Sequence, residues 1–352
     1  MKGRNASDTP RRDGIAGQFA QDIGAADGTS ERRGARRVIR WVSWLLALAM
    51  IAAVIIVSLH FSEERELVRI AERAEPWWLG IAVILQAGTY LAQGETWRAV
   101  TRAAGVTLPL SVAFKLSLAK LFIDQALPSG GISGTVVVAA ALEQHGVPRA
   151  VVMASMVVAT VAYYAAYVLA LAVALLIMVA GGHANPVILA TALFFVVFST
   201  LLTAIALVLS GRRSPGPGWF RRIPPLRNAL ALLEEAAPAL ARSVPLLLKG
   251  GLLQLAIVLL DTTTIWILIR SLGVVAAPTG VFASFMVSTL LRTISIVPGG
   301  LGVFEAASVV TLSLNGVSVP VALAATLLFR GLSFWLPMVP GLVFSRGARK
   351  AT

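Results

Sequence analysis

The chain reads as an all-α polytopic membrane protein, with about six full spans and two re-entrant broken-helix hairpins set in an inverted-topology repeat. Three observations predict this. Hydrophobic residues make up 57% of the sequence and charged residues only 13%, at a mean hydropathy of +0.81, where an average soluble chain carries roughly a quarter charged residues. Several uninterrupted apolar runs reach the ~20 residues that a helix needs to cross a bilayer. One pattern also occurs twice: 127–147 and 297–317 align without a gap, setting Pro128 against Pro298, Gly130 against Gly300, Gly146 against Gly316 and Val147 against Val317.

Taken in order, residues 1–40 are rich in Gly, Ala, Asp and Arg and are expected to form a disordered basic cytoplasmic tail. Arg32, Arg33, Arg36, Arg37 and Arg40 precede the first apolar run, Trp41 to Leu59, and hold the N-terminus in the cytoplasm. That run follows too long and polar a leader to be a cleaved signal, so it is expected to be a permanent anchor. The acidic connector 60–76 suits the outer face. Trp77 and Trp78 mark an interface, and a second span follows to about Trp97. Ser111 to Leu127 is apolar but carries Lys115, Lys120 and Asp124; with the short helix Ile132 to Glu143 it forms the first hairpin, entering and leaving on one side. Residues 150–180 make a span long enough to tilt, and 187–210 return. Residues 211–245, with Arg212, Arg213, Arg221, Arg222 and Arg227 among Pro215, Pro217, Pro224 and Pro225, are expected to form a cytoplasmic loop with an amphipathic helix near Leu226 to Leu240. A span at about 246–269, a second hairpin over 279–314 and a last span at about 320–344 lead to the basic tail 346–352. The membrane domain thus covers 41–345, with repeat one at about 77–180 and repeat two at about 246–344. Every basic connector then falls on one face, so both termini are expected in the cytoplasm.

The repeat extends upstream of the breaks, where Arg102-Ala103-Ala104-Gly105-Val106 matches Arg270-Ser271-Leu272-Gly273-Val274. Each copy puts Pro-x-Gly inside a run that would otherwise be one helix. Proline removes a backbone donor and glycine loosens the chain, so each run breaks there. Polar backbone at membrane depth is tolerated only where protein buries it or it lines a wet cavity. A helix starting after each break aims free N–H groups and a positive dipole end at it, a natural seat for an anion. Close helix packing by small residues is the structural alternative. The candidate binding residues are therefore Pro128, Gly130, Gly131 and Gly134 in the first copy, and Pro298, Gly299, Gly300 and Gly302 in the second.

Charges at membrane depth are costly and mark function by default. Arg292 precedes the second break, Glu305 follows it and Arg330 lies in the last span. Arginine presents a planar fork suited to phosphate or carboxylate, and Glu305 has Arg292 or Arg330 as its partner, or a proton. Lys120, Asp124 and Asp261 are supporting charges, the first two one helical turn apart and able to neutralise each other. Tyr163 and Tyr164 either line a cavity or pack as aromatics. A formal charge of +13 does not call for nucleic acid as a partner, because the basic residues sit in loops that set topology. With no cysteine, His60, His145 and His183 scattered, no nucleophile elbow and no Walker pattern, neither metal nor cofactor is expected, and enzymatic activity is not the first expectation.

Two stretches carry a resemblance: Val297-Pro298-Gly299-Gly300-Leu301-Gly302-Val303-Phe304-Glu305-Ala306 with Phe329-Arg330-Gly331-Leu332-Ser333-Phe334-Trp335-Leu336-Pro337, and the weaker Leu127-Pro128-Ser129-Gly130-Gly131-Ile132-Ser133-Gly134. They closely resemble the signature of the lysylphosphatidylglycerol synthase transmembrane (flippase-like) family, over about residues 40–345. The family's motif residues fall on Pro298, Gly299, Gly300, Gly302, Glu305 and Arg330. Larger members fuse this region to an aminoacyl-transferase domain, for which the sequence leaves no room after its last span. The resemblance therefore implies translocation of a lipid in a bacterial inner membrane, not its synthesis. Anionic phospholipid, glycolipid and polyprenyl-phosphate lipid all remain open as cargo. The alternative expectation is a membrane-embedded partner or enzyme of a lipid or polyprenyl-linked glycan modification pathway, beside a lipid-modifying enzyme or glycosyltransferase. Thr135 stands where gap-free alignment places Glu305, so the two halves cannot do identical acid–base work.

Overall fold

The computed structural model describes residues 75–126, 132–182, 186–209, 235–295 and 297–349. The basic tail, the expected span 41–59, most of the loop 211–245, and Pro128, Gly130 and Gly131 lie outside the described residues. What is described is helical, without strands: α1 (Pro76–Ala103), α2 (Leu110–Ala126), α3 (Ile132–Gln144), α4 (Arg149–Ala180), α5 (Pro186–Leu209), the one-turn α6 (Pro238–Ala241), α7 (Val244–Ser271), α8 (Pro278–Ile294), α9 (Val303–Leu314), α10 (Val319–Arg330) and α11 (Leu336–Arg349). A 3₁₀ turn, Pro298–Gly300, sits between α8 and α9, and a π turn, Gly331–Trp335, joins α10 to α11.

Four of the expected spans are helices long and apolar enough to cross a membrane: Arg149–Ala180, Ile188–Val208, Val244–Ser271 and Val319–Ser345. Helix α1 has the length, at 28 residues, but is not one of the four. Its buried face carries Gln86, Thr89 and Thr96, and its last turns carry a charged cluster. There Glu95 meets Arg98 at 2.6 Å, Lys249 at 3.1 Å and Arg102 at 3.3 Å. That cluster lets the helix run past Trp97, which is itself buried, to Ala103.

The helices come in matched lengths. α1 and α7 each have 28 residues, α2 and α8 each have 17, and α3 and α9 have 13 and 12. Their stops match too. Gly105, Gly146, Gly273 and Gly316 all take φ between 78° and 83°, and each is followed by a valine whose N–H reaches five residues back, as in Val106 to the Thr101 carbonyl at 2.9 Å and Val317 to that of Leu312 at 3.2 Å. This is the Schellman closure, in which a left-handed glycine satisfies the last carbonyls of a helix.

Helices α1 and α7 form the most extensive interface and run antiparallel: Gln86 meets Asp261, Gln93 meets Gln254 and Glu95 meets Lys249. Gly88 admits Leu260 there, whose side chain lies 3.2 Å from where a Cβ would stand. Two apolar cores flank this pair. One joins the ends of α1 and α2 with α3 and the first half of α4, around Trp97, Val138, Leu142 and Val158. The other joins the second half of α4 with α7, α8, α9 and α10, around Leu171, Met286, Phe304 and Ala322. Helix α4 therefore serves both hairpins, α2–α3 with its first half and α8–α9 with its second.

Candidate functional site

At the second break the chain turns through three glycines with positive φ, Gly299 (64°), Gly300 (61°) and Gly302 (81°), a conformation that a side chain penalises. Space forbids side chains there as well. A Cβ on Gly299 would stand 2.5 Å from the Phe334 ring, and one on Gly300 would overlap the Arg292 side chain. Helix α9 then starts at Val303 with its first free donor already taken: the Gly302 N–H donates to Glu305 Oε2 at 2.6 Å. The other oxygen of Glu305 accepts from Arg330 Nε at 2.7 Å, and Arg330 Nη2 donates to the Gly299 carbonyl at 3.0 Å. The guanidinium also lies over two rings, Phe334 at 4.3 Å and Phe304 at 5.4 Å. Arg330 is 4% exposed and Glu305 6%. Of the two arginines open to Glu305 in the sequence, the structure pairs it with Arg330. The π turn that starts at Gly331 carries Phe334 beneath the same guanidinium.

The first break follows the same logic. Lys120 Nζ meets Asp124 Oδ2 at 2.5 Å, and Asp124 Oδ1 accepts the Gly134 N–H at 2.9 Å. A Cβ on Gly134 would overlap that carboxylate and come within 2.8 Å of the Lys120 carbonyl oxygen. At both described helix starts, a carboxylate from the chain itself thus meets the backbone N–H groups.

Arg292 is different. It lies in the last turn of α8, its stem crosses Gly300, and among the described residues it has no carboxylate within 4 Å. It lines a cavity of about 110 Å³ together with Tyr163 and Tyr167 of α4, Gln254 and Asp261 of α7, and Thr289 of α8, ample for several waters or a small polar group. Among the described residues the hydroxyls of Tyr167 and Thr289, both residues 3% exposed, make no hydrogen bond of good geometry. Asp261 accepts from Gln86 Nε2 at 2.9 Å, and the same amide reaches Thr264 Oγ1 at 3.1 Å. Tyr163 lines the cavity, whereas Tyr164 packs against Tyr163 and Phe195.

The structure therefore brings Gly299, Gly300, Gly302, Glu305, Arg330 and Arg292 together and links them, through Arg292, to Asp261. Lys120, Asp124 and Gly134 form their own cluster. Helix α2 also packs against the Pro298–Gly300 turn. Sequence reasoning missed Gln86, Gln93, Gln254, Tyr167 and Thr289. A signal existed: the interval from Arg102 to Arg270 also separates Gln86 from Gln254 and Gln93 from Asp261.

Long apolar helices around a buried polar centre define a multi-pass, all-helical membrane protein. The family model described as the lysylphosphatidylglycerol synthase TM region matches residues 44–341, and the chain belongs to that family. No curated protein matches the chain.

Proposed function

We propose that the protein is a translocator for a lipid with an anionic headgroup, working by alternating access in the inner membrane with both termini in the cytoplasm. The observation that carries this is Arg292: a half-buried guanidinium, with no carboxylate within 4 Å among the described residues, on a cavity that it shares with Asp261 beside the second break. A charge held inside a membrane assembly with no acid in direct contact is expensive, which favours a binding role. Arginine's fork suits a phosphodiester.

The architecture supports the same conclusion. Repeat one, at about 77–180, and repeat two, at about 246–344, would form an inverted-topology pair, each with one re-entrant hairpin. In favour stand the matched helix lengths and the antiparallel α1–α7 pair. There residues of one copy meet residues of the other reciprocally, Gln86 with Asp261 and Gln93 with Gln254, as across an isologous two-fold interface. Transporter folds of this kind hold cargo near the midplane between broken helices. The headgroup would lie beside the second break, at Pro298, Gly299, Gly300 and Gly302. Arg292 would touch it, while Glu305 and Arg330 keep the second break in shape.

The test is movement of a fluorescent phosphatidylglycerol across proteoliposome membranes. Arg292→Gln is expected to stop it, and Arg292→Lys to restore part of it, with thermal melting of each variant separating loss of movement from loss of fold. Undiminished movement in Arg292→Gln would remove the site. Chemical conversion of the lipid by the purified protein would replace translocation with an enzymatic function.

A further inference from the structure

The polar cavity holds an acid that the breaks do not use. Among the described residues no cation lies within 4 Å of the Asp261 carboxylate, whose hydrogen bond comes from the neutral amide of Gln86. Arg292 lines the same cavity from α8, equally without an acidic partner. Each charge alone is costly at this depth; together they leave the cavity neutral.

The position that mirrors Asp261 in the first repeat is Gln93. It accepts from Gln254 at 3.2 Å, much as Asp261 accepts from Gln86, which mirrors Gln254. The clasp between α1 and α7 therefore needs only an acceptor oxygen, and an amide supplies one. The ionisable carboxyl at 261 exceeds that structural need.

We propose that Asp261 is a proton-binding site that loads one proton when the phosphodiester of an anionic lipid enters the cavity and releases it when the lipid leaves, so that lipid and proton move together. This rests on Arg292 as the headgroup contact. The charges balance: Arg292 and Asp261 sum to zero, a phosphodiester adds one negative charge, and a proton from water on an Asp261 oxygen restores neutrality. The groups facing Asp261 are Gln86 and Tyr90 of α1, Tyr163 and Tyr167 of α4, Arg292 of α8, and Gln254 and Thr264 of its own helix. Helix α6 carries no titratable side chain, and Arg330 of α10 is engaged by Glu305. Asp261 is the one carboxylic acid in that set.

The experiment titrates dihexanoyl phosphatidylglycerol into the full-length protein in neutral detergent, calorimetrically, in two buffers of different ionisation enthalpy. Wild type is expected to take up about one proton per lipid bound, with affinity falling about tenfold per pH unit across the range of uptake. Asp261→Asn, and Asp261→Gln in case the first folds poorly, keep an acceptor for Gln86. They are expected to bind with no proton uptake and a pH-independent affinity. Proton uptake unchanged in both variants would overturn the proton site and leave the headgroup contact standing. Wild type that binds no lipid, or Arg292→Gln that binds as well as wild type, would overturn the headgroup contact and the proton site with it. Dimethyl phosphate supplies the same phosphodiester without acyl chains. Equal affinity and proton uptake with it would overturn the assignment to a lipid.

Discussion

In the first hairpin the carboxylate that meets the new helix comes from the helix before the break; in the second it comes from the helix after it. Asp124 reaches forward to Gly134 and takes its counter-charge from Lys120, one turn back on α2. Glu305 reaches back to Gly302 and takes its counter-charge from Arg330 on α10, beyond the next connection. The first closure is local and partly solvated, with side-chain exposures of 26% and 19%, while the second is tertiary and nearly dry, at 5% and 7%. The local closure ties only α2 to the start of α3. The tertiary one binds α9, α10 and the Gly299 turn into a single body.

The largest expected effect follows from the dry pair. Removing one partner of a buried ion pair leaves the other uncompensated, at a cost of about 3–5 kcal/mol. Arg330→Ala strands Glu305 and also frees the Gly299 carbonyl, so thermal unfolding in detergent should fall by an amount in that range. The double change Arg330→Met with Glu305→Gln should recover most of it, because no bare charge remains and the amide oxygen can still accept the Gly302 N–H. Arg330→Lys keeps the charge but not the two-pronged geometry, and should fall between.

The equivalent change at the first break should cost less. Asp124→Ala loses a helix-start hydrogen bond, worth about 1 kcal/mol, and a partly exposed ion pair worth about 0–1 kcal/mol. Hydrogen exchange at the start of α3 should quicken while α9 stays protected. A loss as large as that of Arg330→Ala would erase the distinction between the two closures.

Much of this was legible in the residues. Apolar runs mark the long helices, since burial or lipid must cover them whatever they pack against. Pro-x-Gly marks the second break, and the repeated Gly-Val pairs mark where helices stop. The choice of Arg330 over Arg292 for Glu305 was not legible. It depends on the rotation of α10 relative to α9 and on the π turn that sets Phe334 under the guanidinium, and neither leaves a local trace. In helix α1 glutamines lower the hydropathy, yet Gln86 is buried because α7 supplies its partners, which only the packing reveals. The cavity was visible only as Arg292, Asp261 and Tyr163. The other polar residues of its wall, Gln254, Tyr167 and Thr289, are uncharged and sit among Ala166, Ile257, Val258 and Phe285, so their meaning comes from convergence across three helices.

The smallest effect tests the two repeats where they meet on α1 and α7. Gln93→Leu leaves the buried Gln254 amide without its acceptor, a cost of about 1 kcal/mol, and should leave the pH dependence of lipid binding unchanged. Asp261→Leu keeps Thr264 Oγ1 at 3.1 Å as a second acceptor for the Gln86 amide, but it leaves Arg292 without its balancing charge, so it should cost more in stability and should also remove proton uptake. Mirror positions would then be interchangeable for the clasp and not for charge. If Gln93→Leu altered the pH dependence as strongly as Asp261→Leu, the asymmetry between the halves would lie in the packing of α1 on α7 and not in the single carboxyl group that distinguishes them.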